Sequence, residues 1–348
     1  LVMNPPYMGG GNMNEVLSKY VKESYEEGKA DLFSTFMLLA IERLSENGKY
    51  SMINMQSWMF LSSFEKLRTS LLENYHIENM LHLGPRTFDE LSGEVVQNTA
   101  FVIAKHKSDE GGIYFRLVDG KNCGDKEDMF LQALKEEHTS KIYYPNVSQS
   151  NFEKIPGCPI GYWVSEKMIE IFSLSTIGNS MTTREGMATA DNNRFLRLWS
   201  EISLLKFSKF NPSSDKWYPY NKGGGFRRWF GNRDYVVNWE NNGYEIKNNI
   251  DIETGRIRSH NYNGEYAFKE CGTWSAISSD NFAIRYCEEG FLWDSKGACG
   301  FSNTDLIYII GLLNTKISSD YLRVLAPTLD FKVGDIIRVP LIIKEIGR

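Results

Sequence analysis

Leu1-Val2-Met3-Asn4-Pro5-Pro6-Tyr7 stands at the start of the sequence, and its reading decides the fold. The apolar triplet suits a strand, and the proline pair ends it, because each ring fixes φ near about −65° and removes an N–H. A strand that stops at Asn-Pro-Pro-Tyr sets the Asn4 side-chain oxygen beside the Pro5 carbonyl as two fixed acceptors. Such a pair suits a planar amine with two hydrogens to give, and the Tyr7 ring offers a face on which a flat heterocycle can stack. An exocyclic amine conjugated into a purine is a poor nucleophile. Acceptors placed where its rehybridising nitrogen needs its hydrogens favour the transition state over the ground state. The same residues also suit a plain proline-rich turn after a strand.

Working outward, residues 1–150 alternate helical and strand patterns, as a doubly wound α/β sheet does. Asp31 is placed to cap a helix through Leu32, Phe33, Phe36, Leu39, Ala40 and Leu44, which Asn47-Gly48 stops. Strands are expected at Tyr50–Asn54, Ile77–Leu83 and Val95–Lys105, and a helix at Ser63–Tyr75. Phe33 and Phe36 read as core residues of a helix face. Pro145, Pro156, Gly157, Pro159 and Gly161 cluster where we expect a linker. Beyond it, residues 151–348 read as an irregular α+β domain with helices at Glu166–Leu174, Arg194–Leu205 and Leu306–Leu325, and with Trp239, Trp274 and Trp293 in its core.

With 348 residues, the chain is long enough for about two domains, and 42% hydrophobic with 24% charged residues is an ordinary globular balance. No run of about 18 uncharged apolar residues is present, so no membrane span is expected and the cytoplasm is the expected location. Five scattered cysteines, without a Cys-x-x-Cys pair or a neighbouring histidine, suit reduced thiols and no metal site.

The net charge of −5 speaks against nucleic acid only if the total is what counts. From Lys216 to Arg233 there are five basic residues (Lys216, Lys222, Arg227, Arg228, Arg233) and no acidic one, interleaved with Trp217, Tyr218, Tyr220, Phe226, Trp229 and Phe230 around Gly223-Gly224-Gly225. Arginines among aromatics in a glycine-rich loop suit phosphate contacts, guanine reading or stacking on a displaced base. A solvated basic loop beside core tryptophans fits the same residues. Arg256, Arg258 and His260 make a smaller basic group. Thr189, Asp191, Asn193 and Arg194 carry polar groups that suit base edges, or equally a turn capping the Arg194–Leu205 helix.

Taken in order, Asn4–Tyr7, the Asp31-capped helix, the Gly48–Tyr50 turn and Gly93-Glu94-Val95-Val96-Gln97 resemble the catalytic domain of adenine-N6 DNA methyltransferases. With Arg184–Thr189, Asp191–Phe195, Trp217–Gly224 and Pro327–Asp335, nearly the whole chain resembles the PglX-type methyltransferases of BREX phage-defence systems and their single-chain restriction–modification relatives. The resemblance implies an α/β fold, a partial Rossmann-like methyltransferase sheet over residues 1–150, followed by an α+β target-recognition domain over 151–348. It implies that Asn4 and Pro5 bind the target N6 amine and that Tyr7 stacks on the flipped adenine. It further implies that Lys222, Arg227, Arg228, Arg233, Arg194 and Asn193 meet double-stranded DNA, with other phage-defence proteins as further partners. Where relatives add a second base-stacking aromatic, Val95 and Val96 stand here, leaving Phe88 or Phe101 as weaker choices.

The implied cofactor is S-adenosyl-L-methionine, yet the glycine-rich strand–turn motif that such enzymes use for it is not found in the sequence. Gly9-Gly10-Gly11 and Gly223-Gly224-Gly225 follow no strand ending in a cofactor acid, and Leu81-His82-Leu83-Gly84 lacks the second glycine. The expectation is therefore a fragment beginning inside the sheet and inactive alone. A DNA-recognition module without catalysis is the alternative, and a protein-glutamine methyltransferase a more distant one.

Overall fold

In a computed structural model, residues 1–88, 96–136, 140–208, 215–278, 281–303, 305–327 and 330–342 are described. The chain forms two compact units, Leu1–Ser173 and Leu174–Arg348.

The first unit is built on six strands: β1 (Val2–Met3), β2 (Lys49–Met55), β3 (His76–Gly84), β4 (Asn98–Ala104), β5 (Gly112–Arg116) and β6 (Tyr143–Val147). They lie in the order β1-β2-β4-β3-β5-β6. β1 runs parallel to β2 and β3 parallel to β5, whereas β4 is antiparallel to both β2 and β3. The sheet is thus α/β in kind and mixed in direction. Its helices include α1 (Glu15–Ser24), α2 (Leu32–Arg43), α3 (Glu65–Asn74) and α4 (Cys123–Lys135).

Sequence chemistry accounts for these elements. Asp31 caps α2 through the Phe33 N–H, and Phe33, Met37, Ala40 and Ile41 recur at helical spacing on its buried face. β2 alternates with a period of two, burying Tyr50, Met52 and Asn54. Phe33 is fully buried and Phe36 packs at the edge of the same core. The expected strand at Val95–Lys105 begins at Asn98; Gly93, Glu94 and Val95 lie outside the described residues.

The proline- and glycine-rich stretch 145–165 lies within this unit. Ile160 and Tyr162 join its core, and Tyr162 stacks on Tyr114 with ring centroids 4.9 Å apart. Buried Arg68, on α3, holds the Gly157–Cys158 turn just before them: its guanidinium donates to the carbonyls of Trp58, Leu61, Gly157 and Cys158 at 2.6–3.1 Å.

The second unit holds two four-stranded sheets. One comprises β8 (Leu196–Leu198), β9 (Trp217–Asn221), β10 (Tyr235–Asn238) and β13 (Leu292–Trp293), in the order β13-β9-β10-β8. The other comprises β7 (Thr182–Arg184), β11 (Cys271–Trp274), β12 (Ile284–Cys287) and β14 (Cys299–Phe301), in the order β12-β11-β14-β7. Trp239, Trp274 and Trp293 are buried. The helix expected over Arg194–Leu205 is not formed. A four-residue helix, Asn192–Phe195, gives way to β8, because pairing with β10 sets Leu196 against Val237 in the core. The helical run expected at Leu306–Leu325 is two helices, Leu306–Leu313 and Lys316–Leu325, divided where Thr315 caps the second.

Candidate target-base site and nucleic-acid interface

In the first unit, Asn4–Tyr7 leaves the carboxyl end of β1, the end of an α/β sheet where ligands bind. The turn is held from three directions. β1 pairs with β2 in the register Val2↔Ser51 and Met3↔Met52. Past the turn, the Met8 N–H donates to Asp31 Oδ1 at 2.9 Å and the Met8 carbonyl accepts from the Leu32 N–H at 3.0 Å. Asp31 therefore caps α2 and pins the loop with one carboxylate. Finally, Asn98 Nδ2 donates to Tyr7 Oη at 2.9 Å.

Within that frame, Pro5 is buried while Asn4 is exposed and its side chain has no hydrogen-bond partner among the described residues. The Tyr7 ring meets Phe33 edge-on at 6.0 Å and keeps 36% of its surface open. Partial burial pushes its phenol above the ordinary value of 10, with Asn98 pulling the other way, so the hydroxyl stays protonated. An anchored hydroxyl and an open ring make a fixed stacking surface. Phe101 is not available for that role: it is buried against Trp58 and Tyr50. Phe88 is 36% exposed, and Val96 is half-buried.

Sequence reasoning missed the groups behind Tyr7. Asn54 and Asn98 are both fully buried at the ends of β2 and β4. Asn54 Oδ1 accepts from Trp58 Nε1 at 3.1 Å, and its backbone carbonyl accepts from Asn98 Nδ2 at 3.3 Å. Asn98 Oδ1 has no partner. Next to it, the Gln97 carboxamide accepts from Gln56 Nε2 at 2.5 Å, and Gln56 Oε1 accepts from His82 Nε2 at 2.7 Å. Tyr162 Oη lies 2.9 Å from His82 Nδ1. Burial lowers the His82 pKa to about 3, so the ring is neutral, and its contacts fix the proton on Nε2.

Replacing Asn98 by alanine removes both of its donated bonds. In the intact protein we expect amide exchange along β2 and β4 to quicken about tenfold, the equivalent of ~1.4 kcal/mol. Unchanged exchange would show that Asn98 does not brace Tyr7.

In the second unit, the predicted residues separate into groups. Asn193 and Lys222 line one cleft of about 430 Å³ with Arg197, Glu201 and Tyr235. Lys222 Nζ stands 4.9 Å above the Tyr235 ring. Arg227 and Arg228 are exposed, and among the described residues neither has a carboxylate within ion-pair distance. Arg194 pairs with Glu245 at 3.2 Å and stacks on Phe195. Arg233 pairs with Glu288 at 3.3 Å and lies 3.8 Å over Phe230. Distant acidic partners thus compensate these last two charges. Asp191 caps the short helix through the Arg194 N–H, and Thr189 Oγ1 bonds Asn192.

The two glycine triplets are held by local contacts. The Gly10 N–H is spent on Ala30 O and the Gly9 carbonyl on Asn12, while Gly223 packs against the Lys296 carbonyl. Among the described residues, no group of three or more His, Cys, Asp or Glu could hold a metal ion. Nor is any of their helices long and apolar enough to cross a membrane.

Comparison with known proteins adds the following. Residues 1–88 match the family model described as Eco57I restriction-modification methylase. The chain is 47% identical over 351 residues to the adenine-specific methyltransferase PglX of Lacticaseibacillus casei (strain Zhang), covering 98% of this chain and 29% of that protein. It is 39% identical over 349 residues to the adenine-specific methyltransferase BrxX of Escherichia coli O9:H4 (strain HS), covering 98% and 28%. The chain thus spans less than a third of the length of these curated relatives. Among solved structures, the Type IIL restriction-modification enzyme MmeI in complex with DNA superposes with a TM-score of 0.62 at 13% identity, over 97% of this chain and 45% of that one. A nuclease-deletion mutant of the Type ISP enzyme LlaGI with a DNA substrate mimic gives 0.55 at 16% identity, over 98% and 33%. At such identities the likeness is one of fold.

Proposed function

We propose that this chain, similar over 98% of its length to adenine-specific methyltransferases of the PglX and BrxX kind, is the target-base and DNA-reading portion of an enzyme that methylates adenine N6 in duplex DNA. The observation that carries this reading is the braced Asn4–Tyr7 turn, with a free carboxamide and an open, anchored ring side by side. Asn4 and the Pro5 carbonyl accept the two N6 hydrogens as the nitrogen rehybridises, and Tyr7 holds the extruded base by its face. Extrusion costs a few kcal/mol, which stacking worth ~1–3 kcal/mol and two hydrogen bonds largely offset. S-adenosylmethionine supplies an electrophilic methyl group. Its cradle would lie in a part of the relatives' length that this stretch does not span, so this portion alone would not transfer methyl groups.

The second unit would grip the duplex through Lys222, Arg227 and Arg228, with Asn193 beside Lys222 in the cleft. A basic aromatic loop of this kind favours nucleic acid over a protein glutamine as the methyl acceptor. An enzyme acting on host DNA would work in the cytoplasm, within a restriction–modification or phage-defence system and alongside that system's other proteins. The direct test is single-molecule sequencing of DNA from cells with and without the complete gene. N6-methyladenine at one sequence supports the reading; its absence removes it.

DNA contact has its own test. If Lys222, Arg227 and Arg228 each neutralise one phosphate, replacing all three with alanine in the complete protein should reduce the log–log salt slope of duplex binding by about 2.7. An unchanged slope would take the loop off the DNA.

A further inference from the structure

Trp229 sits where its backbone does not want it and its ring is not needed for packing. Its φ is +69°, a left-handed conformation that glycine and asparagine accept and bulky residues avoid. The fold nevertheless holds it there. The Trp229 N–H donates to Ile284 O at 3.1 Å and its carbonyl accepts from the Tyr286 N–H at 2.8 Å. Those bonds bridge it to Arg285 on β12, the outer strand of its sheet. Across the loop, Asn232 Nδ2 donates to Gly225 O at 2.9 Å. The backbone is thereby fixed, yet 55% of Trp229 remains exposed, with Phe226 and Phe230 open beside it at 44% and 59%. Stability explains the bonds but not the indole, because glycine or asparagine would relieve strain that offsets much of the buried area lost, and more than half of the residue is open. The neighbours supply the missing constraint: Arg227 and Arg228 are exposed cations without a carboxylate partner among the described residues.

We propose that the Trp229 indole stacks on a nucleobase face opened in the bound duplex, flanked by phosphates that Arg227 and Arg228 hold. A rigid backbone presents the ring without an ordering cost at binding, and apolar or aromatic side chains that enter a base step unstack it. This rests on the reading of the loop as a DNA surface, and the variants below separate the two ideas.

The experiment uses the complete protein with Trp229→Gly, Trp229→Asn, Trp229→Phe and the double variant Arg227→Ala/Arg228→Ala. It measures duplex affinity across a salt series, affinity for a duplex weakened by one mismatch, and thermal midpoint. Gly and Asn should leave the midpoint level or raised and weaken intact-duplex binding about 5- to 150-fold with the salt slope unchanged, since the ring has no charge. Phe should restore most of the affinity, and the mismatch should leave the loss as large or larger, because opening its bases costs less while the stacking is still forfeited. The arginine pair should instead lower the slope by about 1.8. Wild-type affinity in Gly and Asn, or a lowered midpoint with unchanged affinity, overturns the stacking role while a lowered slope in the arginine variant leaves the DNA surface standing. Wild-type behaviour of all the variants overturns both.

Discussion

Asn4→Ala in the complete enzyme is expected to cut methyl transfer about 10²- to 10³-fold or more while leaving duplex affinity within a few-fold. Asn4 is exposed and carries no structural hydrogen bond among the described residues, so the substitution removes an acceptor and little else. The loss belongs to the transition state, where the amine hydrogens become more acidic and their acceptors matter most; removing one preorganised hydrogen-bonding group of this kind typically costs that much. Single-turnover methylation with saturating DNA reads it directly. Tyr7→Ala should act on a different step, weakening the hold on the extruded base, which a fluorescent adenine analogue at the target would report. Substantial methylation by the Asn4→Ala enzyme would be fatal to the assignment of the turn.

The second large effect concerns stability. Arg68 is 1% exposed and bonds four backbone carbonyls from two separated stretches of chain, Trp58 and Leu61 on one side and Gly157 and Cys158 on the other. Arg68→Met keeps roughly the volume but takes the donor from the Trp58, Gly157 and Cys158 carbonyls, while Leu61 keeps the Phe64 N–H, at ~1–3 kcal/mol for each acceptor left unpaired before relaxation. A net loss of about 3–5 kcal/mol is expected, enough to unfold a marginal unit. Arg68→Lys should recover only part, because an ammonium cannot span the fork that a guanidinium spans. Limited proteolysis of the intact protein near Gly157 is the measurement; wild-type resistance in Arg68→Met would refute the clamp.

How far the sequence reached depended on the distance over which each interaction acts. The α2 helix was legible from Asp31 and its apolar period, and β2 from its alternation, because those signals are local. The Asn4–Tyr7 turn was legible for the same reason. The helix expected over Arg194–Leu205 failed because short apolar runs suit helix and strand alike; pairing with β10, some 40 residues on, decided for strand. Charge was misleading at Arg233 and Arg194, since Glu288 and Glu245 come from 55 and 51 residues further along. Asn98, Gln56 and His82 gave no local pattern at all. Their meaning lies in contacts made across 26 to 91 residues of sequence.

The antiparallel course of β4 between β2 and β3 governs when the first unit can become competent. Both neighbours precede it in the chain, and they share no ladder with each other. Before residues 98–104 are in place, β2 has only β1 beside it, and β3 has no partner strand earlier in the chain. β4 pairs at once with the strand just before it and with the more distant β2, and the β2 pairing closes the longer loop. Asn98 arrives with it and fastens Tyr7. The Tyr7 hydroxyl is therefore anchored only once the strand that joins β2 to β3 is in place.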